Sequence, residues 1–255
     1  GPALGIPITT DIATQTVLIR EFKPQTLLIY PSNLAALAQH CAAHDIVIPS
    51  LKKIITIGET SSPDTRTRTE ITFGADVADM YSSQEAGNIA LQCGQSDLYH
   101  VMAENLIVEI VDEHGLAAGE GKAGRVVLTD LNNFATPLIR YDIGDYAEAG
   151  PACSCGRGLP TLKRVLGRER NLIRMPDGSR HWPLVGFHKF REIAPILQYQ
   201  MIQQDRERIE LRIVVERPLT IEEQSNLVAH VQTSLGHPFA LTVSYFDGRI
   251  PTAAN

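Results

Sequence analysis

The sequence predicts an α/β protein with three parts: a parallel α/β sheet portion, a small β-rich subdomain, and a separate small α+β domain at the C-terminus. Three observations support this prediction. Continuous apolar strands alternate with helical segments over residues 1–88, which is the pattern of a parallel sheet. Alternating apolar and polar segments with glycine-containing turns follow over residues 89–168. A hairpin and a mixture of helix and strand patterns fill residues 169–255.

The first part contains three predicted strands and three predicted helices. A helix over TVLIREF precedes TLLIY, a continuous apolar run typical of a strand covered on both faces. The next helix has apolar residues at helical spacing, and we expect Ser32-Asn33 to cap it. LKKIITIGE predicts a second strand that ends at Gly58, and SSPDTRTRTEITFG predicts a helix capped by Ser62. DVADMYSSQEAG predicts a third strand that runs into a loop.

The second and third parts follow different patterns. NLIVEIVDEHG, GKAGRVVLTDL, TPLIRYDIGDYAEA and LPTLKRVLGR predict antiparallel strands. Beyond them, LIRMPDGSRHWP predicts a hairpin, and VGFHKFREI a helix. LQYQMIQQ and RIELRIVVE predict a strand pair. TIEEQSNLVAHVQTSLG predicts a helix that opens on a capping box between Thr220 and Glu223, and ALTVSYF predicts the last strand.

Composition narrows the class of protein. A net charge of -6 argues against a nucleic-acid partner, and no apolar run is long enough to span a membrane. The start lacks the features of a signal peptide, and Gly1-Pro2 resembles a protease-cleavage remnant, so we expect the chain to begin inside a longer protein. Four cysteines without a disulfide framework indicate a reducing compartment, and we expect a cytoplasmic protein.

Three short strings occur in a fixed order: IGE at residues 57–59, YSSQEAG at 81–87, and RYDIGD at 140–145 with GRER at 167–170. In this order they resemble the acyl-adenylate-forming (AMP-forming) ligase superfamily, in particular its phenylacetate–coenzyme A ligase-like branch. The resemblance runs from about residue 5 almost to the end of the chain. It implies the C-terminal portion of such an enzyme, with the small domain mobile about a hinge and the N-terminal part of the large domain missing.

The resemblance implies a role for each motif residue. Gly58 and Glu59 would line the adenine and acyl pocket, and Tyr81 would pack against adenine. Glu85 would help to hold Mg²⁺ on the ATP phosphates, as a hard cation requires oxygen ligands. The loop residues Ser82, Ser83 and Gln84 would belong to the cofactor site. Asp145 would accept hydrogen bonds from the ribose hydroxyls, and Arg168 would lie near the ribose and phosphate. Arg170 would lie at the hinge.

The chain also departs from the family pattern. Ser82 stands where glycine is usual, Gln84 where threonine or serine is usual, and Arg170 where the hinge aspartate is usual. The phosphate-binding loop is absent, and no lysine follows Lys189 where the family has its catalytic lysine. That lysine neutralises charge in the adenylation transition state. We therefore expect the chain alone to be inactive in pyrophosphate exchange.

A cysteine and histidine set predicts a metal site. Cys93 and His100 open the β-rich part, and Cys153 and Cys155 lie in a CSCGRG turn. Four such ligands suit structural zinc, and the nearby glycines allow both thiolates of the turn to face one ion. Some phenylacetate–coenzyme A ligase-like enzymes have a cysteine-rich turn here. The alternative is two unrelated pairs of reduced residues.

The resemblance implies part of an enzyme that activates a carboxylic acid with Mg-ATP and passes the acyl group from AMP to a thiol. The branch favours an aromatic acid. Coenzyme A and the phosphopantetheine of an acyl carrier protein both stay open as acceptors, as does a homodimer. Two other classes also stay open: a non-catalytic homologue that acts as a binding or scaffolding module, and a zinc-stabilised interaction domain without a nucleotide site.

Overall fold

The computed structural model describes residues 1–59, 61, 63–168, 172–181, 190, 192–248 and 250. The chain divides into two compact units, Gly1–Glu169 and Arg170–Asn255. The predicted boundary at residues 168–169 lies at the junction of these units. The one predicted at residues 88–89 lies within a strand of a continuous sheet. The three-part division itself stays a prediction.

The first unit opens with three helices that alternate with three parallel strands, as predicted. Strands β1, β2 and β3 pair in that order, and the helices pack on them around a core that contains Leu34, Leu37 and Ile54. The elements are α1 (Ile12–Phe22), β1 (Thr26–Ile29), α2 (Pro31–Ala43), β2 (Lys53–Ile57), α3 (Pro63–Phe73) and β3 (Asp76–Ser83).

Two local predictions for this region are wrong. Strand β1 is not covered on both faces, because it forms the edge of the sheet and Leu28 is 55% exposed. Nor do Ser32 and Asn33 cap α2, since the helix begins at Pro31 and its N-cap residue is Tyr30, which makes no side-chain capping bond. The predicted Ser62 cap of α3 lies outside the described residues.

Six antiparallel strands extend the same sheet to nine strands in the order β1-β2-β3-β4-β5-β9-β8-β7-β6. The four predicted strands are present, although the one predicted from Thr136 begins at Tyr141. Strands β4 and β5 were not predicted, because their short apolar runs show no clear alternation. The strands are β4 (Gly87–Gln92), β5 (Tyr99–Val101), β6 (Leu106–Val111), β7 (Ala123–Asp130), β8 (Tyr141–Ala149) and β9 (Thr161–Arg168).

The second unit contains a three-stranded sheet with a helix between two parallel strands. Its core includes Phe190, Leu211 and Val231. The predicted helix VGFHKFREI lies mostly outside the described residues. The elements are β10 (Ile173–Arg174), β11 (Arg180–His181), β12 (Ile196–Gln203), β13 (Arg208–Val215), α4 (Ile221–Leu235) and β14 (Ala240–Tyr245), all as predicted.

The predicted capping box at the start of α4 is present. The Thr220 hydroxyl accepts from the Glu223 N–H, and the Glu223 carboxylate accepts from the Thr220 N–H at 2.8 Å. Arg217 also donates to Glu223, at 2.7 Å. These hydrogen bonds, that of Arg217 first, lower the pKa of Glu223 to about 2. The Glu223 carboxylate therefore takes part in capping the N-terminus of α4.

None of the helices in the described part of the chain has both the length and the apolar character needed to cross a membrane.

We expect Glu223→Gln to lower the hydrogen-exchange protection factors of α4 at neutral pH, because the amide cannot replace the charged capping bonds. The folded-state pKa of Glu223 is depressed, so its stabilisation is present above the unfolded value of about 4.3 and is lost as the pH falls through about 2. The difference from wild type should therefore be constant above about pH 5 and vanish near pH 2. The neighbouring Glu222→Gln serves as the control. An equal effect in both variants would contradict the assignment.

Candidate nucleotide site and metal cluster

A hydrogen-bonded cluster joins three of the residues that the motifs singled out. The Tyr81 hydroxyl donates to Asp145 Oδ2 at 2.8 Å, and Arg168 Nε lies 3.0 Å from Asp145 Oδ1. Arg168 also donates to the backbone carbonyl of Ile143 at 3.3 Å. Two of the three side chains are withdrawn from water, since Tyr81 is 8% and Asp145 6% exposed. The sequence predicted these residues in one site, and the structure brings them together.

The strands explain how this cluster forms. Asp145 on β8 and Arg168 on β9 are direct partners in the antiparallel ladder. Tyr81 is on β3, and strands β4, β5 and β9 separate β3 from β8 in the order of the sheet. The contact between Tyr81 and Asp145 therefore requires the sheet to curl, as twisted antiparallel sheets do.

The charges in the cluster are complementary. Burial of the Tyr81 ring, reinforced by the negative charge of Asp145, raises the pKa of the Tyr81 hydroxyl well above its usual value. Tyr81 therefore stays protonated and acts as a donor at neutral pH. The Arg168 side chain is 48% exposed, so part of its guanidinium faces solvent. The guanidinium N–H groups that do not bond to Asp145 can donate to a second anion, such as a phosphate.

The loop predicted at residues 82–85 is the tip of a β-hairpin between β3 and β4. Ser82 and Ser83 are half-buried, whereas Gln84 and Glu85 are exposed. The Ser83 hydroxyl accepts from the Ala86 N–H at 3.1 Å and so holds the turn.

Gly58 and Glu59 contact the start of helix α2. Gly58 has a φ of +74°, and a Cβ atom there would lie 2.7 Å from the Tyr30 ring. Glu59 accepts from the Ser32 N–H and from the Ser32 hydroxyl, each at 2.9 Å. A carboxylate from the end of β2 thus replaces the missing side-chain cap of α2. Sequence reasoning missed this role because capping is normally read from residues beside the helix.

A buried network around Asp79 was also missed. Its carboxylate accepts from the Thr56 hydroxyl at 2.6 Å and from the Tyr99 hydroxyl at 2.8 Å. Its backbone N–H donates to Gln92 Oε1 at 3.0 Å, and Arg66 donates to the same oxygen. The network connects β2, β3, β4, β5 and α3. The sequence signal that could have revealed this network is Asp79 itself, a carboxylate between apolar residues of β3. A buried charge needs hydrogen-bond partners.

The four predicted metal ligands form one cluster. The donor atoms of Cys93, His100, Cys153 and Cys155 all lie within 4.8 Å of one another. Cys93 Sγ and Cys153 Sγ are 3.8 Å apart, and Cys155 Sγ is 3.2 Å from His100 Nε2. A tetrahedral zinc with zinc–sulfur bonds of about 2.3 Å separates two sulfurs by about 3.8 Å. The donor set and its spacing therefore fit zinc.

The surroundings of the cluster favour bound cations. The Gln95 N–H, which donates to Cys93 Sγ at 3.4 Å, lowers the pKa of Cys93 to about 6, although burial opposes this shift. Among the described residues, the buried Nδ1 of His100 has no hydrogen-bond partner. The alternative of two unrelated pairs is inconsistent with this geometry, because all four side chains converge on one point.

Comparison with known proteins shows what this chain is similar to. No protein-family model matches the chain. The phenylacetate-coenzyme A ligase of Thermus thermophilus is 26% identical over 182 residues, which are 67% of this chain and 41% of that protein. The phenylacetate-coenzyme A ligase of Escherichia coli K12 is 26% identical over 166 residues, 62% of this chain and 38% of that protein.

The chain is similar in sequence to phenylacetate-coenzyme A ligases, at about one residue in four. Its matches are with the phenylacetate–coenzyme A ligase-like branch, as the motifs predicted. The matched region spans less than half the length of these relatives, 37–41%. These matches agree with the resemblance noted from the ordered strings, whereas the individual residue roles stay predictions.

Solved structures show the same fold as this chain. A 2-hydroxyisobutyryl-CoA ligase in complex with R3-HIB-AMP superposes with a TM-score of 0.78 at 20% identity, covering 98% of this chain and 56% of that one. The anthranilate CoA ligase AuaEII in complex with anthranoyl-AMP gives a TM-score of 0.71 at 14% identity, covering 95% of this chain and 50% of that one. The α/β fold class predicted from the sequence is therefore confirmed. The predicted hinge residue Arg170 lies outside the described residues.

We expect Glu59→Ala to lower the free energy of unfolding by about 1 kcal/mol, because it removes the cap of α2. Urea denaturation followed by circular dichroism measures this loss. A double-mutant cycle with Ser32→Ala isolates the bond from the Ser32 hydroxyl, because this variant keeps the backbone N–H that Glu59 caps. Most of the loss on Glu59→Ala should therefore persist in the Ser32→Ala background, and no loss in either background would contradict the cap.

Proposed function

We propose that this chain carries part of the nucleotide pocket and the small domain of an AMP-forming acid–coenzyme A ligase. In that reaction, a carboxylic acid and ATP give an acyl-adenylate and pyrophosphate, and coenzyme A then takes the acyl group. The observation that carries the proposal is the Tyr81–Asp145–Arg168 cluster, in which three separate motifs supply one buried carboxylate with two donors. The sequence similarity to phenylacetate-coenzyme A ligases supports the same function.

Asp145 is proposed to hold the ribose. Each oxygen of a carboxylate accepts about two hydrogen bonds, so the bonds from Tyr81 and Arg168 leave acceptor capacity on both oxygens. A ribose diol presents two donors at a spacing that one carboxylate can accept. Tyr81 and Arg168 fix the orientation of the carboxylate before the nucleotide arrives, which lowers the entropy lost on binding.

Arg168 and Glu85 are proposed to act on the phosphates. The exposed part of the Arg168 guanidinium offers fixed donors to the α-phosphate of AMP. Glu85 is at the exposed hairpin tip and offers one carboxylate, which together with phosphate oxygens is a common environment of Mg²⁺. A magnesium ion there supplies charge neutralisation on the phosphates.

Zinc is proposed to have a structural role. Four protein ligands fill a tetrahedral shell and leave no open position for catalysis. Cys93 follows β4 and His100 is on β5, whereas Cys153 and Cys155 belong to the turn between β8 and β9. An ion held by all four connects that turn to the first antiparallel strands of the sheet.

An aromatic acid is the proposed substrate class. The matched relatives are phenylacetate-coenzyme A ligases, and AuaEII is an anthranilate CoA ligase; both acids are aromatic. Coenzyme A is the proposed acceptor, since it is part of the names of these proteins. A phosphopantetheine thiol on an acyl carrier protein is a second acceptor with the same chemistry, and a homodimer is a further proposal.

A second candidate function is a non-catalytic homologue that binds a nucleotide or a partner. Two observations favour it: Gln84 cannot offer a small hydroxyl to a phosphate, and Arg170 stands where the family has its hinge aspartate. Exchange of pyrophosphate into ATP by the chain with an aryl acid would exclude this candidate.

We expect the chain to bind AMP, and Asp145→Asn to weaken this binding by about ten- to hundred-fold, because a hydrogen bond to a charged group is worth about 1.5–3 kcal/mol. AMP is the chosen ligand because these residues face its ribose and α-phosphate. Isothermal titration calorimetry measures the affinity. Asp142→Asn, on the same strand but paired with Arg125, is the matched control and should bind like wild type. Equal affinity in both variants, or no binding by wild type, would contradict the nucleotide site.

We expect the purified chain to contain about one zinc ion, and chelation to lower its melting temperature, because metal binding stabilises the folded state. Elemental analysis by mass spectrometry measures the metal. His100→Ala should lose most of the zinc, whereas Ser154→Ala, between the two cysteines of the turn, should retain it. An absence of zinc in the wild-type chain would refute the proposed site.

A further inference from the structure

The cysteines of the metal cluster are not equivalent. Cys93 Sγ and Cys153 Sγ approach each other to 3.8 Å, whereas Cys155 Sγ lies against His100 Nε2 at 3.2 Å. All three are free thiols in this structure. All four donor atoms lie within 4.8 Å of one another, and the 3.8 Å contact between Cys93 and Cys153 joins distant parts of the chain.

We propose that Cys93 and Cys153 are an oxidation site, at which a hydroperoxide converts the two thiols into a disulfide. The pairing of Cys93 with Cys153 is argued from the distance between their sulfurs and does not depend on a bound metal. The accompanying release of zinc rests on the metal site proposed above.

Accessibility distinguishes Cys153 from Cys93, whereas Cys155 is half-buried beside exposed residues as Cys153 is. Cys153 is half-buried in a turn whose neighbours Ala152 and Ser154 are exposed, so a small oxidant can reach its sulfur. Cys93 is 6% exposed and lies behind it. An accessible thiol backed by a second one is the usual arrangement of a redox-sensitive pair.

The reaction balances with one equivalent of hydrogen peroxide. The Cys153 thiolate attacks one peroxide oxygen, the O–O bond breaks, and a sulfenic acid forms while hydroxide leaves. The Cys93 thiolate then attacks the Cys153 sulfur, the S–S bond forms, and the S–O bond breaks with loss of a second hydroxide. With the two thiol protons, the hydroxides become two waters, so two thiols are oxidised and one peroxide is reduced.

The geometry favours this pair over the other two. A disulfide bond is about 2.05 Å long, so the sulfurs of Cys93 and Cys153 must approach by about 1.8 Å, which small side-chain rotations supply. Cys153 and Cys155 are only two positions apart in the chain, which strains a mutual disulfide. A disulfide between Cys93 and Cys155 would require Cys155 to leave His100.

Oxidation would replace the metal link between the β8–β9 turn and β4 by a disulfide bond. The disulfide consumes two of the four donors, and the remaining pair of Cys155 and His100 is too small a set to retain zinc. The turn between β8 and β9 nevertheless stays connected to the end of β4, now by a covalent bond. The site would therefore couple metal release to oxidation without freeing the turn.

The test is peptide mapping of the full chain under non-reducing conditions after treatment with hydrogen peroxide, with and without prior chelation. We expect the Cys93–Cys153 peptide pair to be the main disulfide, and a chromogenic chelator to detect about one zinc released per disulfide. Oxidised, metal-free protein should also melt at a higher temperature than reduced, metal-free protein. A main disulfide between Cys153 and Cys155, or between Cys93 and Cys155, would overturn the inference, as would sulfinic acids without a disulfide.

Two variants provide a matched comparison. Cys155→Ser and Cys153→Ser each remove one thiolate from the same turn, but only Cys155→Ser leaves the proposed pair intact. We expect Cys155→Ser to form the Cys93–Cys153 disulfide and Cys153→Ser to form several-fold less disulfide. Equal yields would overturn the assignment. A Cys93–Cys153 disulfide in protein without zinc would refute only the metal proposal, whereas bound zinc without this disulfide would refute only the present one.

Discussion

The carboxylate of Asp145 is the group on which the candidate nucleotide site depends. A charge that is withdrawn from water is stable only when partners replace the lost solvation. Tyr81 and Arg168 supply those partners from β3 and β9. The same two bonds that stabilise the charge therefore determine how far the sheet must curl, and they hold the residues of three separate motifs in one place.

Strand β5 is a second constraint, although it has only three residues. Successive side chains of a strand point to opposite faces, so Tyr99 and His100 face different parts of the first unit. Tyr99 donates to Asp79 in the network beneath the parallel strands, and His100 belongs to the cysteine cluster. A metal held by His100 would thus stabilise the strand that also carries a donor to the buried Asp79.

Gly58 and Glu59, which the resemblance assigns to the ligand pocket, also make contacts within the fold. The Tyr30 ring leaves no room for a side chain at Gly58, and the Glu59 carboxylate caps α2 through Ser32. Both residues make these contacts without a bound nucleotide. Their proposed contact with ligand is therefore an addition to a role that the architecture already requires.

The sequence by itself determined the features that arise from local physical chemistry. Apolar runs and alternation predicted the parallel and antiparallel strands, and the Thr220–Glu223 capping box predicted the start of α4, because these signals depend on neighbouring residues. The types of Cys93, His100, Cys153 and Cys155 also sufficed to predict a cluster, because few other roles bring such residues together.

Only the tertiary structure decided which distant groups meet. The contact of Tyr81 with Asp145, the cap of α2 by Glu59, the partners of Asp79 and the edge position of β1 all depend on how the sheet curls and ends. Residue periodicity indicates which face of a strand is apolar, but it contains no information about which remote strand will cover it. That choice is made by packing and by the need of buried charges for partners, both of which act across the whole fold.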